Sequence, residues 1–155
     1  MKLSIERATL LKAVSQAQSV VERRNTIPIL ANVLIEAEGD TVSFRATDLD
    51  IEVVDRGNAM VERAGATTVS AVMLHEIVRK LPDGALVSLT DDQRTGRLAV
   101  EAGRSTFSLA TLPKEDFPVM ASSEYASNFT AKAGDLRRLF EKSKFAISTE
   151  ETRYY

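Results

Sequence analysis

From residue 29 to residue 70 the chain reads as one extended segment after another, with turn signals between them and no helix. That succession constrains the fold most. Parallel neighbours need a long crossover, usually a helix, whereas strands joined by short turns run antiparallel. Residues 29–37 (ILANVLIEA) and 41–46 (TVSFRA) flank Glu38-Gly39-Asp40, a turn signal. Val42, Phe44 and Ala46 alternate with Thr41, Ser43 and Arg45, the period of a half-buried hairpin strand. Residues 48–54 alternate again and predict a further strand, with Leu49, Ile51 and Val53 opposite Asp48, Asp50 and Glu52. Another extended stretch, 59–69, leads to Ser70.

Amphipathic helices bracket this run. Over 8–21 apolar residues recur at 10, 11, 14, 17 and 21, while Lys12, Ser15, Gln16 and Ser19 take the opposite face. Ser70 is placed to cap a second helix with Leu74, Ile77, Val78 and Leu81 on one side, and Pro82-Asp83-Gly84 stops it. Residues 85–90, 97–102 and 105–112 read as three more strands, with Gly96 and Gly103 in the connections. Residues 113–127 hold two prolines and three serines and read as the best linker in the chain. Beyond it come the strand-like NFTA and a third amphipathic segment, GDLRRLFEKSKF. The order β-α-β-β-β-α-β-β-β, linker, β-α predicts an α+β fold with antiparallel sheets. We expect a first domain over 1–120, a linker over 121–127 and the start of a second domain over 128–155.

The second domain looks like a repeat of the first. A shift of 126 places Leu3 on Phe129, Ile5 on Ala131, Leu10 on Leu136, Ala13 on Leu139 and Val14 on Phe140. Residue 155 then falls at the start of the repeat's second strand, so the expectation is one full domain and the opening of its copy.

The chain offers little for catalysis. It has no cysteine, which excludes disulfide scaffolds, zinc–cysteine sites, iron–sulfur clusters and thiol nucleophiles. Its one histidine, His75, excludes a multi-histidine metal centre and is expected on the solvated side of the second helix. Asp48, Asp50, Glu52 and Asp55 lack the glycine and terminal glutamate of a calcium loop and read as a solvated strand face. Gly65-Ala66-Thr67-Thr68 lacks the ending of a phosphate loop. We expect no catalytic residue, no metal and no cofactor. No apolar run approaches the roughly 20 residues of a membrane span. Residues 1–7 lack the apolar region of a secretory signal, so the expected location is cytoplasmic.

Charge is distributed unevenly within a formal total of −2. Residues 7–24, 70–81 and 132–144 sum to +3, +1 and +3, so everything else sums to −9. The predicted helices are basic and the remainder is acidic.

Several stretches together resemble the β sliding clamps of bacterial DNA polymerase III. They are RRNTIPILANVLIEA (23–37), ATDLDIEV (46–53), GATTVSA (65–71), EIVRKLPDG (76–84), GRSTFSLATLPKEDFPVM (103–120) and KFAIS…RYY (144–155). The resemblance spans essentially the whole chain. It implies a ring of similar domains, with helices lining a central hole, antiparallel sheets outside, β-α-β-β-β repeated, and two chains closing head to tail. It also implies a non-catalytic processivity factor that encircles double-stranded DNA without reading sequence and docks polymerase and clamp-loader subunits. Lys12, Arg79, Lys80, Arg137, Arg138 and Lys142 are the implied lining cations. Arg24 matches a DNA-contacting position, with Arg23 beside it. A second such position, usually Gln, is Glu150 here. Phe107 and Leu109 match the apolar pair at the joint between chains and Arg104 a basic residue beside it. Thr106 stands where a further basic residue is usual. Arg153, Tyr154 and Tyr155 match the edge of the partner-binding cleft. Two other readings compete: an adaptor domain that binds only protein and leaves its basic helices solvated, and an enzyme whose site lies outside these residues.

Overall fold

The computed structural model describes residues 1–21, 26–118, 127 and 129–148. It forms two compact units, Met1–Met120 and Ala121–Tyr155. In the first, β1 (Lys2–Glu6) runs directly into α1 (Arg7–Val20). A 3₁₀ turn (Pro28–Ala31) precedes β2 (Asn32–Glu38), β3 (Thr41–Thr47), β4 (Glu52–Asn58), β5 (Met60–Arg63) and β6 (Gly65–Ser70). Then come α2 (Ala71–Lys80), β7 (Leu86–Asp92), β8 (Arg97–Ala102), β9 (Ser105–Leu112) and a second 3₁₀ turn (Lys114–Asp116). The second unit contains α3 (Ala133–Ser143) and a 3₁₀ turn (Lys144–Ala146).

All strand pairs are antiparallel. The order across the sheet is β4-β3-β2-β6-β9-β8-β7-β1-β5. The fold is α+β, and β1-α1-β2-β3-β4 repeats as β6-α2-β7-β8-β9. Each copy's first strand pairs with the strand that follows the other copy's helix: β1 with β7, and β6 with β2. The two copies are therefore interlocked rather than side by side. β5 is an addition to the motif and pairs with β1.

The periodicity explains the layering. Leu10, Ala13, Val14 and Ala17 of α1 and Leu74 and Val78 of α2 are buried. They share one core with Leu3, Val33, Phe44, Leu89, Leu98 and Leu109 from the strands, so both helices cover the same face of the sheet. Ser70 Oγ accepts from the Met73 N–H at 3.4 Å and caps α2 as expected. A smaller cluster of Ile29, Leu30, Leu34 and Phe117 forms separately. Leu34 alternates with Val33 and Ile35 of the main core, so this cluster lies on the opposite face of β2.

Two buried polar groups tie the sheet together where its ladders are thin. β6 and β9 share only the pairs Thr68↔Leu112 and Val69↔Thr111. There Thr68 Oγ1 donates to Leu112 O at 2.8 Å and accepts from Leu112 N and from Asn32 Nδ2, at 3.2 and 3.1 Å. Asp91, on the core-facing side of β7, accepts from Thr67 Oγ1 at 3.0 Å and lies 3.9 Å from the Met1 amino nitrogen.

Several expectations are corrected. Residues 29–31 belong to a 3₁₀ turn opened by Pro28, and the strand starts at Asn32. The strand expected over 48–54 begins at Glu52. Asp48 Oδ1 accepts from the N–H groups of Asp50 and Ile51 at 3.0 and 2.7 Å, and Thr47 Oγ1 accepts from Leu49 N–H. These side chains outcompete a ladder and bend 48–51 into a turn, with Leu49 at φ 82. Leu49 and Ile51 are consequently exposed. The stretch 59–69 divides into β5 and β6, so five strands separate α1 from α2. Residues 113–118 are not linker-like, because Phe117 is buried beside Ile29 and Leu30. Phe129–Lys132 forms no strand, as nothing among the described residues pairs with it. The shift of 126 does carry Arg7–Val20 onto 133–146, the span of α3 and its 3₁₀ turn.

Candidate nucleic-acid interface

α1 packs against α2 on one side and against β3 and β4 beneath, so the two helices form one surface layer. Lys12 is exposed on α1, on the side away from Leu10 and Val14. Arg79 and Lys80 occupy the last turn of α2, where cations favour the negative end of the helix dipole. Arg79 Nη2 donates to Glu76 Oε2 at 2.7 Å. That hydrogen bond holds the Glu76 carboxyl below its ordinary value of 4.5, so the glutamate is charged and offsets Arg79 at neutral pH. Lys12 and Lys80 form no ion pair among the described residues. They are the stronger phosphate-facing candidates.

Arg7 does not join them. Its guanidinium turns to the C-terminal end of α2, donating to the carbonyls of Val78 and Arg79 and to Asp83. The positive charge expected over 7–24 therefore loses one member to internal structure. Arg23 and Arg24 lie outside the described residues.

α3 is basic along one side. Arg138 and Lys142 stand four residues apart and hence on one face, both exposed and without an ion pair among the described residues. Arg137 Nε donates to Glu141 Oε1 at 2.8 Å. Leu136, Leu139 and Phe140 on the same helix are exposed within this unit.

His75 departs from expectation. Its side chain is only 17% exposed, with Nδ1 lacking a hydrogen-bond partner and standing 4.0 Å from Glu76 Oε1. Among the described residues no group of three or more His, Asp or Glu could hold a metal ion.

A second feature lies at the edge of the sheet. Ser105–Ala110 pairs with β8 on one side, while β6 reaches β9 only at Thr111 and Leu112. The other edge of residues 105–110 is therefore open, an unpaired row of backbone donors and acceptors. Beside it is a 220 Å³ pocket lined by Ile77, Leu81, Pro82 and Phe107, with Glu76, Lys80 and Ser105 around them. Phe107 is 37% exposed. Leu109, expected beside it at the joint, is 4% exposed and belongs to the main core. It pairs with Leu98 beneath the helix layer, whereas Phe107 lies two residues nearer the open end. Arg104 is exposed in the turn before β9 and has no ion pair among the described residues. Arg153, Tyr154, Tyr155 and Glu150 lie outside the described residues.

The sequence named the cations and Phe107 from pattern and resemblance, and the structure places Lys12, Arg79, Lys80, Arg137, Arg138, Lys142 and Phe107 among exposed residues. Sequence reasoning missed the role of Arg7, because nothing in the sequence links residue 7 to residue 78. No helix among the described residues is long and apolar enough to cross a membrane.

Known proteins share this fold. The chain is 58% identical to the Beta sliding clamp of Caulobacter vibrioides, over all of its own length and 42% of that protein's. Against the Beta sliding clamp of Pseudomonas aeruginosa the identity is 39%, again over all of this chain and 42% of the relative. Among solved structures, the DNA polymerase sliding clamp from Caulobacter crescentus superposes with a TM-score of 0.93 at 58% identity, covering 100% of this chain and 42% of the other. The sliding clamp from Bartonella birtlesii bound to griselimycin gives 0.94 at 44% identity, covering 100% and 41%. The chain thus spans about two fifths of the length of the relatives it matches. Residues 1–121 match the family described as DNA polymerase III beta subunit, N-terminal domain, and the chain belongs to that family.

Proposed function

We propose that this chain is the N-terminal part of a ring-shaped processivity clamp that encircles double-stranded DNA and tethers a replicative polymerase to it. The observation that carries the reading is the single layer formed by α1 and α2 on one face of the interlocked sheet, with Lys12 and Lys80 exposed and unpaired in it. A clamp has to hold DNA without gripping it. Many tight phosphate contacts would make binding steeply salt-dependent and would brake sliding. A few long, mobile cations avoid this, and such contacts carry no sequence information. An acidic total charge is compatible with that role, because enclosure rather than net attraction retains the DNA.

In this reading the lining comprises Lys12, Arg79, Lys80, Arg137, Arg138 and Lys142, with Arg23 and Arg24 in the segment after α1. Residues 1–120 are the first clamp domain, 121–127 the linker and 128–155 the opening of the second. The open edge of β9, with Phe107 and Arg104, is where a second chain closes the ring head to tail, leaving Leu109 as support from the core. A head-to-tail contact closes when its rotation completes a circle, which gives a ring rather than a filament. Arg153, Tyr154 and Tyr155 border the cleft for polymerase and clamp-loader peptides. The protein works in the cytoplasm, without a cofactor and without catalysis of its own.

Charge reversal tests the lining. In a ring-forming clamp that carries these residues as its N-terminal part, Lys12→Glu with Lys80→Glu shortens residence on DNA to a similar degree for unrelated sequences. The loss shrinks as salt rises. Unchanged residence at low salt, or a loss confined to one sequence, rejects the lining.

A further inference from the structure

The corner between α2 and β7 hangs from one residue. Arg7 donates its backbone N–H to Ala85 O at 2.8 Å. Its Nε donates to Val78 O at 3.1 Å, Nη2 to Arg79 O at 2.9 Å and Nη1 to Asp83 Oδ1 at 2.6 Å. The side chain is 14% exposed despite its charge. Val78 and Arg79 are among the last residues of α2, where carbonyls run out of helical partners. Val78 O also accepts the Leu81 N–H at 3.2 Å, so Arg7 and the helix cap share that oxygen. A planar guanidinium reaches several such acceptors at once in a fixed geometry, which an ammonium does not. Residues 78–85 are thereby held at four points. Lys80, Leu81 and Pro82 lie within that segment, and all three line the pocket that contains Phe107.

We propose that Arg7 is a positioning residue for the joint between clamp subunits: by capping the C-terminal end of α2 it fixes the Leu81–Pro82 wall of the pocket against Phe107, and so sets the shape the second subunit meets. The proposal rests on the reading of Phe107 as a joint residue. The carbonyl contacts carry the effect. The pair with Asp83 contributes little, because that carboxylate is 94% exposed and such pairs are weak.

The test measures self-association of the ring-forming clamp by sedimentation over a dilution series, well below the melting temperature, with circular dichroism showing each variant folded. Arg7→Ala weakens self-association by about tenfold, as expected for coupling through lost hydrogen bonds to a neighbouring contact. Arg7→Lys, which keeps the charge and spares the fold if Arg7→Ala does not, weakens it by roughly threefold. Asp83→Ala changes it by less than about twofold. The Arg7→Lys/Phe107→Ala pair then falls short of the product of the single losses, since both act on one pocket. A residue serving only the fold would lower the melting temperature and leave association unchanged. If Phe107→Ala weakens the ring while both Arg7 variants associate normally, or if the losses simply multiply, the positioning role is overturned alone. If Phe107→Ala is itself without effect, the reading of the joint fails and the role of Arg7 with it.

Discussion

Gly57 is where β4 comes closest to α1, and replacing it tests how tightly the helix layer is seated. A Cβ built on Gly57 would lie 2.7 Å from Thr9 Cγ2 and 3.9 Å from Ile5 Cδ1. Carbon atoms in good contact stand about 3.5–4.0 Å apart, so close to 1 Å of overlap needs relief. Thr9 is β-branched on a helix, and its χ1 has few alternatives. Overpacking of this kind costs about 1–3 kcal/mol. Against it, Gly→Ala removes unfolded-state freedom, worth about 0.4–1 kcal/mol, and Gly57 is not among the glycines with positive φ. The net expectation for Gly57→Ala is a loss of about 0–2.6 kcal/mol, centred on roughly 1.3 kcal/mol. Urea unfolding of the 155-residue chain, followed by circular dichroism, measures it as a lower midpoint at constant slope. Thr9→Ala removes the opposing methyl, so the double variant should be at least as stable as Thr9→Ala alone. A stabilising Gly57→Ala, or simple additivity with Thr9→Ala, would refute the close approach of β4 to α1.

Three further outcomes follow from the same geometry. Thr68→Val leaves Leu112 N–H and the Asn32 amide without their shared acceptor, and should lower stability by about 1–3 kcal/mol, with faster hydrogen exchange at Thr111 and Leu112. Glu76→Gln releases Arg79 from its carboxylate and should lengthen DNA residence of the ring-forming clamp at low salt, an effect absent when Arg79 is also replaced. Glu76 and Asp92 are both held below their ordinary values, by the hydrogen bond from Arg79 and by the Arg94 N–H respectively. A depressed carboxylate contributes stability above its unfolded value and loses it as pH falls through the folded one. The chain should therefore hold its midpoint from neutral pH to about 5 and lose the contribution of these two groups only below their ordinary values of 4.5 and 3.8, in a urea series run against pH.

The parts of the fold that were legible in the sequence are those that local chemistry decides. The apolar spacing of Leu10, Val14 and Ala17, the Ser70 cap and the Pro82-Asp83-Gly84 stop fix both helices of the first unit without help from distant residues. Glu38-Gly39-Asp40 does the same for the β2–β3 hairpin. Residues 48–54 misled because alternation is shared by a strand and by an acidic turn, and only the Asp48 hydrogen bonds distinguish them. Phe117 was hidden within a proline- and serine-rich stretch, where composition says nothing about the apolar patch made by Ile29 and Leu30. Leu109 and Phe107 share a face of β9 but not an environment, since burial depends on what covers each position. Arg7 likewise owes its surroundings to the packing of α1 against α2, which no short-range pattern encodes.

The central claim is that DNA is retained by enclosure. The direct measurement loads a ring-forming clamp carrying this chain onto a nicked circular plasmid, isolates the complex by gel filtration, and cuts the plasmid once. If enclosure holds the DNA, the clamp co-elutes with the circle and is lost after the single cut, with little dependence on the sequence between. If the clamp stays on the linear product as it did on the circle, contact rather than topology retains it, and the account is contradicted.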